Sequence, residues 1–434
     1  MWGVTRLRFV LTLNPSKAEV ANLPVDTDVS FIPMDAVGEY GGLRLEMTKP
    51  LASLEDGYTY FRDGDILVAK ITPCFENAKG ALAASLTNGV GFGTTELHVL
   101  RPGPTLEARF LFYVTLSHPF RNLGEGEMYG AGGQKRVPEE FIRDFRHPIP
   151  SLTEQRAIAA FLDRETAKID ALTTKKERLL ELLEEKRTAL ITHAVTKGLD
   201  PSVPMKKSGV EWLGEIPAAW EVRRLRHVSP SLGVGVVVNP SQYIADDGVP
   251  FIYGSDIVEG RILADQARRI SEKDSQRLPK SQLHTGDLVM VRVGAPGVTA
   301  VIREDLEGAN CASVLVIRQS PRVHSDWLCY ALNAHHVRSQ VELVQYGAAQ
   351  EQFNVSHAVN FVVAIPPLPE QQRITSVLDV ATAKIDSLAA EIRKAIALLH
   401  EYRTALISAA VTGQIDVSVA AAAGEPEPAT RPSR

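Results

Sequence analysis

The chain has 434 residues, 44% of them hydrophobic, and a net charge of −5, which allows two or three globular domains with cores of their own. The charge is evenly spread: residues 1–150 hold 15 Lys and Arg against 18 Asp and Glu, and residues 201–366 hold 16 against 17. This excludes a basic arm that would grip nucleic acid through phosphates alone. There is no long apolar run and no signal-peptide layout, so a cytoplasmic protein without a membrane partner is expected. Cys74, Cys311 and Cys329 are scattered and read as small buried side chains, supporting neither a disulfide framework nor a zinc site.

Along residues 1–147, short β-like runs such as "DILVAKI" and "LHVLRP" are bounded by Gly, Pro, Asn or Asp, and a helical pattern, "EARFLFYVTLSH", follows. The next segment, 148–200, opens on "PSLTEQ", where Ser151 and Glu154 form a capping-box pattern. Apolar residues then recur at steps of three and four: Ile169, Leu172, Leu179, Leu183 and Leu190, with Lys176 and Lys186 as interruptions. That is a heptad seam, and Gly198 with Pro201 stops it. Residues 201–217 read as a linker, with Pro and Gly at turn spacing.

A second domain, 218–364, carries "DLVMVRV", "SVLVIRQ" and the helical "SDWLCYALNAHH". His335 and His336, adjacent on that pattern, read as surface residues and poor metal ligands. Residues 365–413 form a second helix, opening on "PPLPEQ", with Ile385, Leu388, Ile392, Leu399, Tyr402 and Leu406 on its seam and Gly413 as its stop. The tail, 414–434, is of low complexity and is expected to be disordered.

The chain repeats itself. Shifted by 216 positions, Pro150–Asp200 lies on Pro366–Asp416 without a gap and with about half the positions identical. The globular parts agree more faintly: "WGVTRLRFV" from Trp2 with "WEVRRLRHV" from Trp220, and "DGDILVAKI" from Asp63 with "TGDLVMVRV" from Thr285. A period this long makes each unit a domain plus its helix. Each helix would span about 65–70 Å at 1.5 Å per residue and needs a partner. Because a compact domain lies between them, an antiparallel pair with a pseudo-twofold axis is expected. The fold class is therefore α+β: two β-rich domains separated by a pair of long antiparallel coiled-coil helices.

Catalytic patterns are missing. There is no GxxxxGK[ST] loop, "GVGFG" at Gly89 and "GVG" at Gly233 are glycine turns without a full dinucleotide fingerprint, and neither "NPS" continues as a methyltransferase loop would. A scaffold spacing two protein-binding domains is one reading that remains; a solitary methyltransferase or nuclease is disfavoured.

Three stretches carry a resemblance: "SGVEWLGEIPAAWEVRRL", "GGQKRVPEEFIRDFRHPIPSLTEQRAIAAFLD" and "IPPLPEQQRITSVLD". With the paired PxLxEQ helix starts, the chain resembles the specificity subunit of Type I restriction-modification enzymes as far as about Asp416. The resemblance implies two target recognition domains, each reading one half of a split site in double-stranded DNA. It implies helices that set the spacer and dock two methyltransferase subunits, with translocating restriction subunits joining them. The subunit would be non-catalytic and bind no cofactor, S-adenosylmethionine, ATP and Mg belonging to the partners.

Within that frame Lys70 and Thr72 at a strand exit, and Gln134, Lys135 and Arg136 in the following loop, are candidate DNA contacts. Their counterparts are Arg292, Gln350 and Gln352, with Glu351 where a cation is expected. Glu154, Gln155, Asp163, Lys168, Asp170 and Arg187, with their copies Glu370, Gln371, Asp379, Lys384, Asp386 and Arg403, are duplicated polar positions suited to two equivalent methyltransferase docks.

Overall fold

The computed structural model describes residues 2–54, 57–131, 133–347 and 354–417. The chain divides into two compact units, Met1–Glu177 with Arg393–Arg434, and Arg178–Ile392. Each unit holds one globular domain and a stretch of both long helices.

In the first unit, Leu11–Leu13, Leu97–Pro102, Ile66–Ala69 and Gly80–Leu82 form an antiparallel sheet in that spatial order. A second sheet runs Thr48–Pro50, Asp28–Ile32, Val90–Gly93, Thr59–Arg62, and its middle pair is parallel. The glycine-rich "GVGFG" lies in this sheet and at its edge. A Cβ on Gly91 would sit 2.3 Å from the Phe61 ring, so glycine here is what lets the fully buried Phe61 lie across the strand. Gly3–Arg6 pairs antiparallel with Arg146–Ile149, bringing the start and end of the domain together beside the first long helix.

The second unit repeats the antiparallel sheet and the closing strand pair, while its mixed sheet has a different strand order. Leu232–Val234, Leu315–Ile317, Leu288–Met290 and Thr299–Val301 form the antiparallel sheet. Ile244–Ala245, Arg268–Ile270, Val249–Ile252 and Asn310–Cys311 form the mixed one, with its last pair parallel. Glu221–Arg224 closes on Val362–Ile365. The strand runs read from the sequence fall on these strands, and the helical patterns become Ala108–Leu116 and Ser325–Asn333. The segment read as a linker contains a small hairpin, Met205–Lys207 with Glu215–Pro217.

The long helices are Leu152–Lys197, of 46 residues, and Leu368–Val411, of 44. The capping box is made: the Ser151 backbone N–H donates to Glu154 at 2.9 Å, and the Glu154 N–H donates to Ser151 Oγ at 3.3 Å. Gly198 and Gly413, at φ 79° and 74°, follow the two helix ends. In the first unit Ile158, Phe161 and Leu162 share a core with Ile407, Ala410 and Val411, and Asp170 meets Arg403, so the helices run antiparallel there. In the second, Ile191, Ala194 and Val195 share a core with Ile374 and Leu378, and Arg187 meets Asp386, again antiparallel.

The seam differs from the sequence reading in phase. Its inward positions include Thr166, Ile169, Thr173, Lys176, Leu180, Leu183 and Arg187, stepping by four and three. Ile169, Leu183, Ile385, Ile392 and Leu399 lie on it, whereas Leu172, Leu179, Leu388 and Tyr402 are 41–58% exposed. Threonine and charged residues occupy core positions, which an apolar template skips. His336 also departs from expectation: it is buried, stacked on Trp212 at 6.2 Å, and burial pulls it down to about 4. Cys311 and Cys329 are buried and Cys74 is partly so, all as free thiols. The residues expected to form a disordered tail lie, from 418 onward, outside the described residues.

Candidate nucleic-acid interface and domain anchors

The first domain gathers its five candidate readers in one place. Strand Ile66–Ala69 delivers Lys70, whose N–H donates to Glu96 O at 2.9 Å and whose carbonyl accepts from Val137 at 2.8 Å. Thr72 donates to Lys135 O through its N–H at 3.0 Å and its hydroxyl at 3.3 Å. The strand exit and the 134–137 loop are thus laced together by backbone bonds, a rigid base for side chains. Gln134 and Lys135 are exposed, and Lys70 is partly so.

Arg136 is differently placed. Its guanidinium makes a two-pronged bond to Glu96, at 2.8 and 2.7 Å, which holds the Glu96 carboxyl below its usual range. A guanidinium committed this way braces the loop, while Gln134, Lys135 and Lys70 remain presented. Behind it His98 is buried, its Nε2 2.9 Å from Val137 O, and burial lowers its pKa.

In the second domain the counterpart of Lys70 is placed differently. Arg292 is 7% exposed and donates to Asn354 Oδ1 at 2.8 Å, with burial lowering its pKa. Gln350, Glu351 and Gln352 lie outside the described residues.

Ten of the twelve duplicated helix residues fall into two internal networks. At the start of each long helix a domain is fixed to the helix. Trp2 Nε1 donates to Glu154 at 3.3 Å, and Trp220 Nε1 to Glu370 at 3.0 Å. Gln155, fully buried, accepts from Glu107 N at 2.7 Å and donates to Pro150 O at 2.9 Å. Gln371, fully buried, accepts from His324 N at 2.8 Å and donates to Pro366 O at 2.8 Å.

Tyr113 donates to Asp163 at 2.8 Å and lies 3.3 Å from Thr166 Oγ1; Tyr330 does the same with Asp379 and Thr382 at 2.8 and 3.3 Å. Burial is the first cause raising both phenols, Tyr330 to about 12. Arg109 adds an ion pair to Asp163 in the first unit.

The second network joins helix to helix. Arg403, 8% exposed at its side chain, pairs with Asp170 and lies under the Tyr40 ring, 5.1 Å from its centroid. Arg187, 18% exposed, pairs with Glu259 at 2.6 Å and Asp386 at 3.6 Å. Of the twelve duplicated positions, Lys168 and Lys384 stand off both networks; Lys168 bonds only its neighbour Glu165, at 3.0 Å. The tryptophans, tyrosines and threonines of the anchors were not singled out as site residues, although Tyr113 and Tyr330 sit at matching places in "LFYVTLSH" and "LCYALNAHH".

A twice-built α+β domain, each copy fixed to a long helix and one presenting polar side chains from a braced loop, defines a recognition module. Residues 21–182 match the family model described as the Type I restriction modification DNA specificity domain. The chain is 26% identical over 487 aligned positions to the EcoEI specificity subunit of Escherichia coli, covering 91% of this chain and 80% of that one. It is 41% identical over 159 positions to the EcoAI specificity subunit of Escherichia coli, covering 36% and 26%. The crystal structure of the HsdS subunit from Thermoanaerobacter tengcongensis matches with TM-score 0.53 at 18% identity, covering 95% of this chain and 97% of that one. A chain from a structural study of assembly and conformational transition in a type I R-M system matches with TM-score 0.69 at 20% identity, covering 95% and 98%. The structural likenesses speak to fold, the sequence likenesses to family, and together they support a type I restriction-modification specificity subunit, a protein of DNA target recognition.

Proposed function

We propose that the two globular domains, 1–147 and 218–364, each read one half of a bipartite site in double-stranded DNA. The helices of 148–200 and 365–413 would fix the gap between half-sites and dock two methyltransferase subunits. The observation that carries this reading is the repeated anchor: Trp–Glu, Gln–backbone and Tyr–Asp–Thr bonds fix each domain to its own helix at the same positions. A reader held that firmly transmits helix length into base-pair spacing. In the first domain, Gln134, Lys135, Lys70 and Thr72 supply the chemistry for base edges and phosphates.

Docking is assigned to the faces the two networks leave free. On the second long helix Val377 and Val380, 42% and 58% exposed, line an open groove with Gln372, Arg373 and Lys384. An apolar strip rimmed by cations suits a helix of a methyltransferase subunit. This chain would contribute no catalysis itself: adenine methylation, and cleavage when restriction subunits join, would use S-adenosylmethionine, ATP and Mg bound by the partners.

Methylome sequencing of cells expressing this chain with its methyltransferase tests the reading. A split motif with methyladenine in each part is expected, and exchanging residues 1–147 for those of a relative should change one part alone. An unbroken motif, or one in which both parts change, overturns it.

A further inference from the structure

Tyr129 is 68% exposed at the stem of the reading loop. Its N–H donates to Arg136 O at 3.2 Å and its carbonyl accepts from Arg136 N at 2.9 Å, so it faces the residue that Glu96 braces. The next residue, Gly130, has φ 147°, and a Cβ there would lie 2.4 Å from Gln134 O. The chain therefore folds back tightly, with Tyr129 and Arg136 forming an isolated antiparallel bridge beside Gln134 and Lys135. A single exposed aromatic is ordinary. This one is written twice: "YGAGGQKR" from Tyr129 has as its counterpart "YGAAQEQF" from Tyr346, where Tyr-Gly-Ala is kept while the cations Lys135 and Arg136 give way to Glu351 and Gln352.

Side chains that read base edges must differ when two half-sites differ, because each edge presents its own donors and acceptors. What stays the same serves a task that does not depend on sequence. An aromatic ring stacks on any base, and a wedge opens any base step. An enzyme that modifies a base inside a duplex must also turn that base out of the stack, leaving a gap that a flat ring fills. Gly130 and Ala131, lacking bulk, let the backbone come close to the duplex.

We propose that Tyr129 is this wedge: it enters the stack of the first half-site and supports the turned-out base whatever its neighbours. The proposal rests on the bipartite reading above. The test uses the full complex of this chain with its methyltransferase, at saturating DNA carrying 2-aminopurine at the target adenine of one half-site or the other. Wild type should give a fluorescence rise at both. Tyr129→Ala should slow the rise at the first half-site about tenfold and leave the second unchanged, whereas Tyr129→Phe and Tyr129→Trp should stay within about threefold of wild type.

An unchanged rise in Tyr129→Ala overturns the wedge, and so does Tyr129→Phe as damaging as Tyr129→Ala, which would make the hydroxyl the active part. The melting temperature of Tyr129→Ala should match wild type; a large fall would make the ring structural and also overturn the proposal. If the wild-type complex yields no split motif at all, the underlying function fails, and the wedge with it.

Discussion

The two units are alike at the root and unlike at the tip. At the root, Tyr113–Asp163–Thr166 and Tyr330–Asp379–Thr382 have the same distances, and Gln155 and Gln371 make the same pair of backbone bonds. At the tip, Lys70 is laced to an exposed loop in one unit, while Arg292 is buried against Asn354 in the other. Duplicated copies drift where they meet different ligands and stay fixed where both must hold the same geometry. The root is thus the part of this molecule that the two copies keep in common.

That contrast can be pressed first through the tryptophans. Trp220 is fully buried and Trp2 only partly, so Trp220→Ala should cost about 3–5 kcal/mol in urea unfolding and Trp2→Ala clearly less. Equal losses would mean that the two roots are equally closed.

Acid should act on both units, and on the first also through His98. Burial holds His147 and His336 near a pKa of about 4, against 6.5 in an unfolded chain. Between these values the unfolded state carries protons that the folded state refuses, so stability falls as pH drops from 6.5 toward 4. The loss is at most about 3 kcal/mol per histidine. Melting curves at pH 7.5 and 5 should show it, and His336→Gln should flatten the fall; a fall just as steep would remove His336 as its source.

The helix pairing offers a graded test. Asp170→Asn leaves the nearly buried Arg403 without a carboxylate and should cost about 1–3 kcal/mol. Asp386→Asn should cost under about 1 kcal/mol, because Arg187 keeps Glu259 at 2.6 Å. The reverse order would show that Glu259 does not hold Arg187. Tyr113→Phe and Tyr330→Phe should each cost about 1 kcal/mol, and the smallest effect of all is their coupling: the double variant should be additive within about 0.5 kcal/mol, as for independent networks. Calorimetry of the three variants decides this.

Much of the root was legible in the sequence because the repeat exposes it: the capping box at Ser151, the stops at Gly198 and Gly413, and both helix lengths follow from local chemistry. The phase of the seam was not, since Thr166, Thr173, Lys176 and Arg187 hold inward positions that no apolar template marks. The twelve duplicated polar residues were visible as a set, but their division was not. Whether Asp170 faces a partner or Arg403 depends on which helices meet, and one sequence leaves that open. Arg136 shows the same limit at the tip: its loop was legible, its commitment to Glu96 was not.

The first unit is drawn from two stretches far apart in the sequence: Gly413 lies so close to Trp2 that a Cβ there would sit 2.9 Å from the indole. Since synthesis runs from the N-terminus, the first domain receives part of its footing only after the second domain has been made. Until residues 393–411 have emerged, part of its apolar base stays uncovered. A nonsense codon between residues 365 and 392 would therefore leave the second domain encoded in full and still deprive the first of Ile407, Ala410 and Val411.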